Sequence, residues 1–355
     1  MNKFFFILCI IVFLFKTQTV FSNNLIYDVN NIEVSGKIIK NLDKKILIQS
    51  AFQKAFITFV NKTLLKEDAL NLHKTKINII EDLVFAYQIV KELKNKDDEN
   101  TLTINIKFDP KKISNFLSLN KISYADVSNI SLTLLPVAII EKDVFMFSEN
   151  YFYNNWLKTN EETTNKKDIL ITYNLALENI EDIQYISLIK ENLELLDVKN
   201  LNSLKGTNNY AILIIYFTED RFRAYIKTSI GNKEIDKNLD LKIYNDNEVK
   251  TYEEAIVNLK EELNQIWKSQ NLIDINTPSF LDLFLETKQT NDYLKVRTIF
   301  DSIDLIESYS VLEMTNRQTK VRLKYRGKIN KLRDKLKENK INIDIKNNIW
   351  RTSIN

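Results

Sequence analysis

Between Leu83 and Val90 the chain reads LVFAYQIV, apolar on both alternate sets of positions. Such a run predicts a strand buried on both faces. Leu102, Ile104, Ile106 and Phe108 instead alternate with Thr103, Asn105 and Lys107, the period-two pattern of a strand with one wet face. The polar stretch KNKDDEN between them predicts a turn. Pro110 suits the first turn of a following helix that carries Ile113, Phe116 and Leu117. Upstream, a short strand around Ile32 to Val34 precedes Ile48, Ala51, Phe52, Ala55, Phe56 and Phe59, which recur at helical spacing and predict an amphipathic helix on a sheet.

The middle of the chain opens with ISLTLLPVAII, a buried-strand pattern, then an aromatic helix candidate from Ser148 and a strand in DILITYNLAL. Helical periodicity extends from Glu181 to about Ser203. YAILIIYF, RFRAYIKTSI and a strand near NLDLKIY, separated by turn-forming TEDR and GNKE, predict an antiparallel meander. Thr251 and Glu254 match a capping box, opening a helix with Tyr252, Ile256, Leu259, Leu263 and Ile266 on one face. Pro278 marks a boundary. Beyond it FLDLFLE, NDYLKVRTIFDSI, DLIESYSVLEM, QTKVRLKYR, GKINKLRDKLKEN and INIDI follow the ferredoxin-like order βαββαβ, with DLIESYSVLEM as a central strand. The expected class is α+β in several small domains: a leader at 1–22, an N-terminal α+β domain at 23–127, a middle α/β domain with a meander at 128–275, and a C-terminal ferredoxin-like domain at 276–355.

One unit is written twice. Asp82, Leu83, Tyr87 and Ile89 match Asp304, Leu305, Tyr309 and Val311; Ile104, Ile106 and Phe108 match Val321, Leu323 and Tyr325; each set is followed by a helix. Two readings fit: a degenerate internal repeat, or two generic hairpins each followed by an amphipathic helix.

The first residues change the picture most. Lys3 precedes an unbroken apolar run from Phe4 to Phe15, too short for a comfortable membrane span, and then polar residues and Val20-Phe21-Ser22. This is a signal-peptide layout with cleavage expected after Ser22; an uncleaved inner-membrane anchor is the alternative. Cys9, the single cysteine, falls inside that run, so the mature chain carries neither disulfide nor thiol chemistry. Removing Lys3 and Lys16 takes the balance from 50 basic against 47 acidic to 48 against 47, a net +1 that predicts no bulk attraction to polyanions such as nucleic acid.

The chemistry inventory is sparse. His73 is the only histidine, which removes multi-histidine metal sites, and the four glycines include no phosphate-binding loop. No cofactor is expected. Ser187 to Lys190 reads S-x-x-K, and Lys227-Thr228-Ser229 approximates the K-T-G of penicillin-binding enzymes, so a serine-dependent peptidoglycan enzyme using Ser187 and Lys190 is the competing functional class. The aromatic stretch FMFSENYFYNNW is read as core ahead of a sugar-stacking surface. Residues 320 to 340 hold ten basic residues against Asp334 and Glu338, a local net of +8. Arg322, Lys324 and Arg326 on a strand, then Lys328, Lys331, Arg333 and Lys335, form a candidate surface for an anionic membrane or envelope partner, or simply a solvated face.

Taken in order, the leader, the short strand, IQSAFQKAFITFV, YQIVKEL with LTINIKFDPKKISNFL, LTLLPVAI and the ferredoxin-like end resemble the exported family of Gram-negative envelopes catalogued as domain of unknown function two thousand and sixty-six. That resemblance implies a periplasmic protein and carries over no functional residue. The expectation is a non-catalytic binding or assembly module of the cell envelope.

Overall fold

The computed structural model describes residues 25–38, 41–94, 99–125, 129–159, 170–218, 221–244, 247–274, 278–286, 290–315, 318–346 and 349–354. The expected leader, with Cys9 and the Ser22 cleavage site, lies outside the described residues, as do the centres of the KNKDDEN and TEDR turns. In chain order the elements are β1 (Asp28–Lys37), α1 (Asn41–Thr63), α2 (Lys66–Leu72), α3 (Ile77–Leu83), β2 (Val84–Lys94), β3 (Glu99–Phe108), α4 (Pro110–Leu119), β4 (Tyr124–Ala125), β5 (Ile130–Ile140), β6 (Asp143–Met146), α5 (Tyr151–Asn155), β7 (Ile171–Leu175) and α6 (Ile180–Ile189). They continue as β8 (Tyr210–Phe217), β9 (Phe222–Ile230), β10 (Lys233–Asp240), α7 (Glu248–Gln270), β11 (Leu272–Ile273), β12 (Ser279–Glu286), α8 (Thr290–Ser302), β13 (Ile306–Met314), β14 (Gln318–Tyr325), α9 (Ile329–Glu338), β15 (Ile341–Lys346) and β16 (Ile349–Ile354). The architecture is α+β with several separate sheets. Met1–Phe56, Thr75–Ser123 and Ile273–Asn355 form one compact unit, and Ile57–Lys74 with Tyr124–Leu272 the other. The segments that the sequence partition separates at its two ends thus contribute to the same unit.

In that first unit, β3 lies between β1 and β2, antiparallel to both. Leu102, Ile104, Ile106 and Phe108 are buried along one face while Thr103, Asn105 and Lys107 are half-buried on the other, as the alternation demands. Phe56 of α1 packs edge-on against Phe108 and against Phe116 of α4. The start of α4 is set locally: Asp109 Oδ1 accepts from the Lys111 and Lys112 amides, and Pro110 occupies the first turn, where no amide hydrogen is needed.

β2 departs from the expectation of a strand buried on both faces. Leu83 closes α3, and β2 is an edge strand with nearly every side chain exposed. The same correction applies to DLIESYSVLEM, whose strand β13 lies at the edge of a sheet ordered β13-β14-β12-β16-β15 and is not central. That sheet also differs from a ferredoxin-like one. The last residues form an additional strand, β16, which pairs in parallel with β12 and antiparallel with β15, so the expected fourth strand INIDI is held away from β12 at the other edge.

The two ends of the chain share one strand arrangement, β1-β3-β2 and β12-β14-β13, with α1, α2 and α3 between the first two strands at one end and α8 alone at the other. β2 pairs Val84 with Phe108, Ala86 with Lys107, Ile89 with Ile104 and Lys91 with Thr103 on β3. β13 pairs Ile306 with Tyr325, Ser308 with Lys324, Val311 with Val321 and Glu313 with Lys320 on β14. Each edge strand therefore carries two bulges at the same places, with Phe85 and Val90 extra in one and Glu307 and Leu312 extra in the other. The strand ends are joined alike: Asp109 N donates to Leu83 O and Arg326 N to Leu305 O, both at 2.9 Å. A tyrosine of the edge strand meets a phenylalanine of the long helix that follows the first strand in both, Tyr87 on Phe52 of α1 at 5.2 Å and Tyr309 on Phe300 of α8 at 5.6 Å. The two segments thus share strand order, bulge positions and the backbone joint between strand ends.

The second unit has a sheet ordered β10-β9-β8-β5-β6, with β7 also pairing β5. β5 and β8 run parallel, and β8, β9 and β10 form the expected meander, with β10 starting inside GNKE and ending at Asp240, earlier than the strand expected near NLDLKIY. α5 and α7 cover one face, burying Phe152, Trp156, Leu259 and Leu263; α6 and the short 3-10 turns after it cover the other with Ile186, Leu193, Leu196, Leu201 and Leu204. Pro136 is tolerated inside β5 because it falls between the residues paired to β7 and those paired to β6, and its carbonyl accepts from the buried Asn150 amide at 3.0 Å. Two boundaries move. The helix expected to run to Ser203 ends at Ile189 and continues as 3-10 turns. α7 begins before the expected capping box: Asn247 Oδ1 caps the Lys250 amide, and Thr251, buried in the first turn, ties its hydroxyl to the Tyr244 backbone.

The two copies in the first unit are joined by a buried hydrogen bond, Tyr27 OH donating to Asp304 Oδ2 at 2.8 Å. Removing the donor takes one hydrogen bond from a buried carboxylate. Tyr27→Phe is expected to lower unfolding stability by about 1–3 kcal/mol, read from the shift of the denaturant midpoint at constant slope; an unshifted midpoint would deny this bond a structural role.

Candidate functional site

The basic candidates on β14 are held in ion pairs. Arg322 reaches across to β12 and makes two bonds to Asp282, Nε to Oδ1 at 2.7 Å and Nη2 to Oδ2 at 3.0 Å. Lys320 lies 3.5 Å from the same carboxylate and over the Phe284 ring. Lys324 donates to Glu307 at 2.7 Å, and Arg326 lies 3.4 Å from Glu307 and reaches the Ser114 hydroxyl. The hydrogen bond from Arg322 holds the Asp282 carboxyl below its usual range, and that from Lys324 does the same for Glu307. Val321, Leu323 and Tyr325 point into the core while Arg322 and Lys324 point the other way. Lys328 caps α9, whose Leu332 and Leu336 are buried; Arg333 is exposed, and Lys331 and Lys335 are half-buried. The strand half of the candidate surface is thus largely neutralised by carboxylates of its own sheet.

The S-x-x-K residues are not brought together as a nucleophile and base. Ser187 is exposed in the last turn of α6, and Lys190 Nζ donates to the Lys142 carbonyl at 3.3 Å. Lys227 lies on β9 beside Asp236 of β10 at 3.4 Å. His73 Nε2 lies 2.8 Å from Asn61 Oδ1 on an exposed surface. The aromatic stretch supplies core: Phe147, Phe152 and Trp156 are buried. Among the described residues, no group of three His, Cys, Asp or Glu side chains could hold a metal ion, and no helix is long and apolar enough to cross a membrane.

Two surface elements stand out from this background, and both come from the repeat. Among the described residues, β2 and β13 each have a sheet neighbour on one side only. Apolar side chains are exposed along both: Phe85 at 61%, Val90 at 52% and Leu93 at 45% on β2, and Val311, Leu312 and Met314 on β13. Between the bulges each keeps a regular stretch, Ala86–Ile89 and Ser308–Val311, whose outward backbone groups are free to pair. No family model, curated protein or solved structure matches this chain. The geometry of its own residues therefore carries the functional reading.

Sequence reading missed two buried amines in the second unit. Lys260 Nζ donates to the Trp156 carbonyl at 2.6 Å and lies 5.5 Å from the Trp156 ring centre. Lys268 Nζ donates to the Leu64 carbonyl at 3.0 Å and to the Asn61 carbonyl, satisfying acceptors at the end of α1. The signal was present: Lys260 follows Ile256 by four positions and precedes Leu263 by three, inside the apolar stripe of α7. Burial lowers both amines to about 8. An unfolded lysine titrates near 10.4, so between these values the unfolded chain holds more protons and stability rises with pH. Unfolding free energy is expected to increase by on the order of 1–3 kcal/mol from pH 7.5 to 9.5, with Lys260→Met removing roughly half of the rise; a flat or falling profile in the unaltered chain would contradict the assignment.

Proposed function

We propose that this protein acts by binding, as an exported envelope module that docks short extended segments of a partner on the edge strands of its repeated unit. The observation that carries this reading is the pair of unpaired, apolar edges, β2 and β13, set in equivalent places by the repeat. A row of unsatisfied amides and carbonyls flanked by apolar side chains is a template for strand addition, where the main chain supplies affinity and alternate side chains supply specificity. Two bulges per strand confine regular pairing to four residues, which suppresses open-ended edge-to-edge association while leaving room for a short segment. The leader-like start and the resemblance to the exported envelope family support the location.

Photo-reactive residues placed at Phe85, Val90, Val311 and Met314, one at a time in the producing cell, test the reading. Neighbouring positions on one edge are expected to yield the same adduct, and the still more exposed Leu119 and Leu188 none. Adducts absent from both edges would overturn it. A β-lactam probe is expected to leave the chain unlabelled; covalent labelling lost in Ser187→Ala would instead establish the enzyme reading.

A further inference from the structure

The two copies differ beside their edge strands, and the difference points to what the N-terminal one binds. An open groove of about 520 Å3 runs between α1, α3 and β2, lined by Lys44, Lys45, Ile48, Gln49, Phe52, Glu81 and Tyr87. Its floor is apolar, from Ile48, Phe52 and the Tyr87 ring. Glu81 accepts from Gln49 at 2.9 Å, and Lys44 pairs with Glu92 of β2 at 2.9 Å. Lys45 is exposed on the rim and has no ion pair among the described residues. In the C-terminal copy, aligning Phe300 on Phe52 sets Arg297 opposite Gln49 and Tyr293 opposite Lys45. There the Tyr309 hydroxyl donates to Asp301 of α8 at 3.1 Å, so the corresponding tyrosine is tied into its own copy.

We propose that this groove is a side-chain subsite of the β2 edge, selecting an extended peptide in which an aromatic or long apolar residue is followed two positions later by an acidic one. The inference rests on the strand-addition reading and adds the chemistry of the partner. A strand paired to Ala86–Ile89 turns alternate side chains toward α1, about 6–7 Å apart. One fills the apolar floor over Phe52 and Tyr87. The next reaches the rim, where the Lys45 ammonium favours a carboxylate and disfavours a cation, with Glu81 held by Gln49 and Lys44 by Glu92. The volume suits one large side chain and part of its neighbour.

The test uses the full chain and fluorescein-labelled heptapeptides, read by anisotropy at low salt. One alternates phenylalanine with aspartate two positions apart, a second carries lysine in place of aspartate, and a third is the acidic peptide with alternate backbone amides methylated. The expected result is binding of the acidic peptide, at least tenfold weaker binding of the lysine peptide, and at least tenfold loss in Lys45→Glu at unchanged melting temperature. Backbone methylation should abolish binding. Equal affinity for the acidic and lysine peptides, with no effect of Lys45→Glu but loss on methylation, overturns the subsite and leaves strand addition standing. Undiminished binding of the methylated peptide overturns strand addition itself. Failure of every peptide to bind, with a dimer in sedimentation that Val90→Lys dissolves, makes a second copy of the chain the occupant and overturns the proposal.

Discussion

The period-two alternation along β3 and β14 is the constraint on which the repeated unit depends. Each is the middle strand of its three-strand arrangement, and its apolar set is driven to one side by burial against helices. With that face covered, the other is left to polar side chains, and the flanking strands β2 and β13 receive hydrogen bonds from one side only. The doubled bulges follow from the same geometry. Each releases one residue from the ladder and resets which face the next residues occupy, so the edge strand still places Tyr87 and Ile89, or Tyr309 and Val311, beside the buried set of the central strand.

Once the frame is duplicated, the copies are free to diverge where packing does not decide. On the open face Thr103, Asn105 and Lys107 of β3 correspond to Lys320, Arg322 and Lys324 of β14. The second set requires Asp282 and Glu307 to compensate it, and the bulged residue of β13 supplies one of those carboxylates. Exposed pairs of this kind contribute little to stability; their consequence is that a cluster of ten basic residues in sequence presents a smaller field than its count suggests. In the second unit the analogous economy is internal, with Lys260 and Lys268 spending their donors on backbone carbonyls that the packing of α7 would otherwise leave unpaired.

Reading the chain by pattern succeeded where a local period meets a single physical demand. The half-buried strand at Leu102 to Phe108, the buried strand through Pro136, the meander after Gly206 and the apolar face of α7 all appear where periodicity puts them. It failed where the outcome depends on a neighbour. LVFAYQIV reads as interior because it is apolar on both alternate sets, and DLIESYSVLEM because the ferredoxin-like order makes it central, yet both are edges whose exposed residues include the bulged Val90 and Leu312. The strand β16 is not legible because Arg351-Thr352-Ser353 interrupts any apolar alternation, and only its partners β12 and β15 make it a strand.

The candidate surface shows the same division. That Arg322 and Lys324 share a strand face follows from spacing alone; that Asp282, 40 residues away, neutralises Arg322 does not, because which strands become neighbours is settled by long-range packing. By itself the sequence determined the class, the central strands, the buried faces and the pairing of two similar segments, all consequences of residues a few positions apart. Only the tertiary structure decided which strands were left unpaired, which charges were cancelled and which lysines were buried, because each of those depends on groups that the chain brings together from far apart.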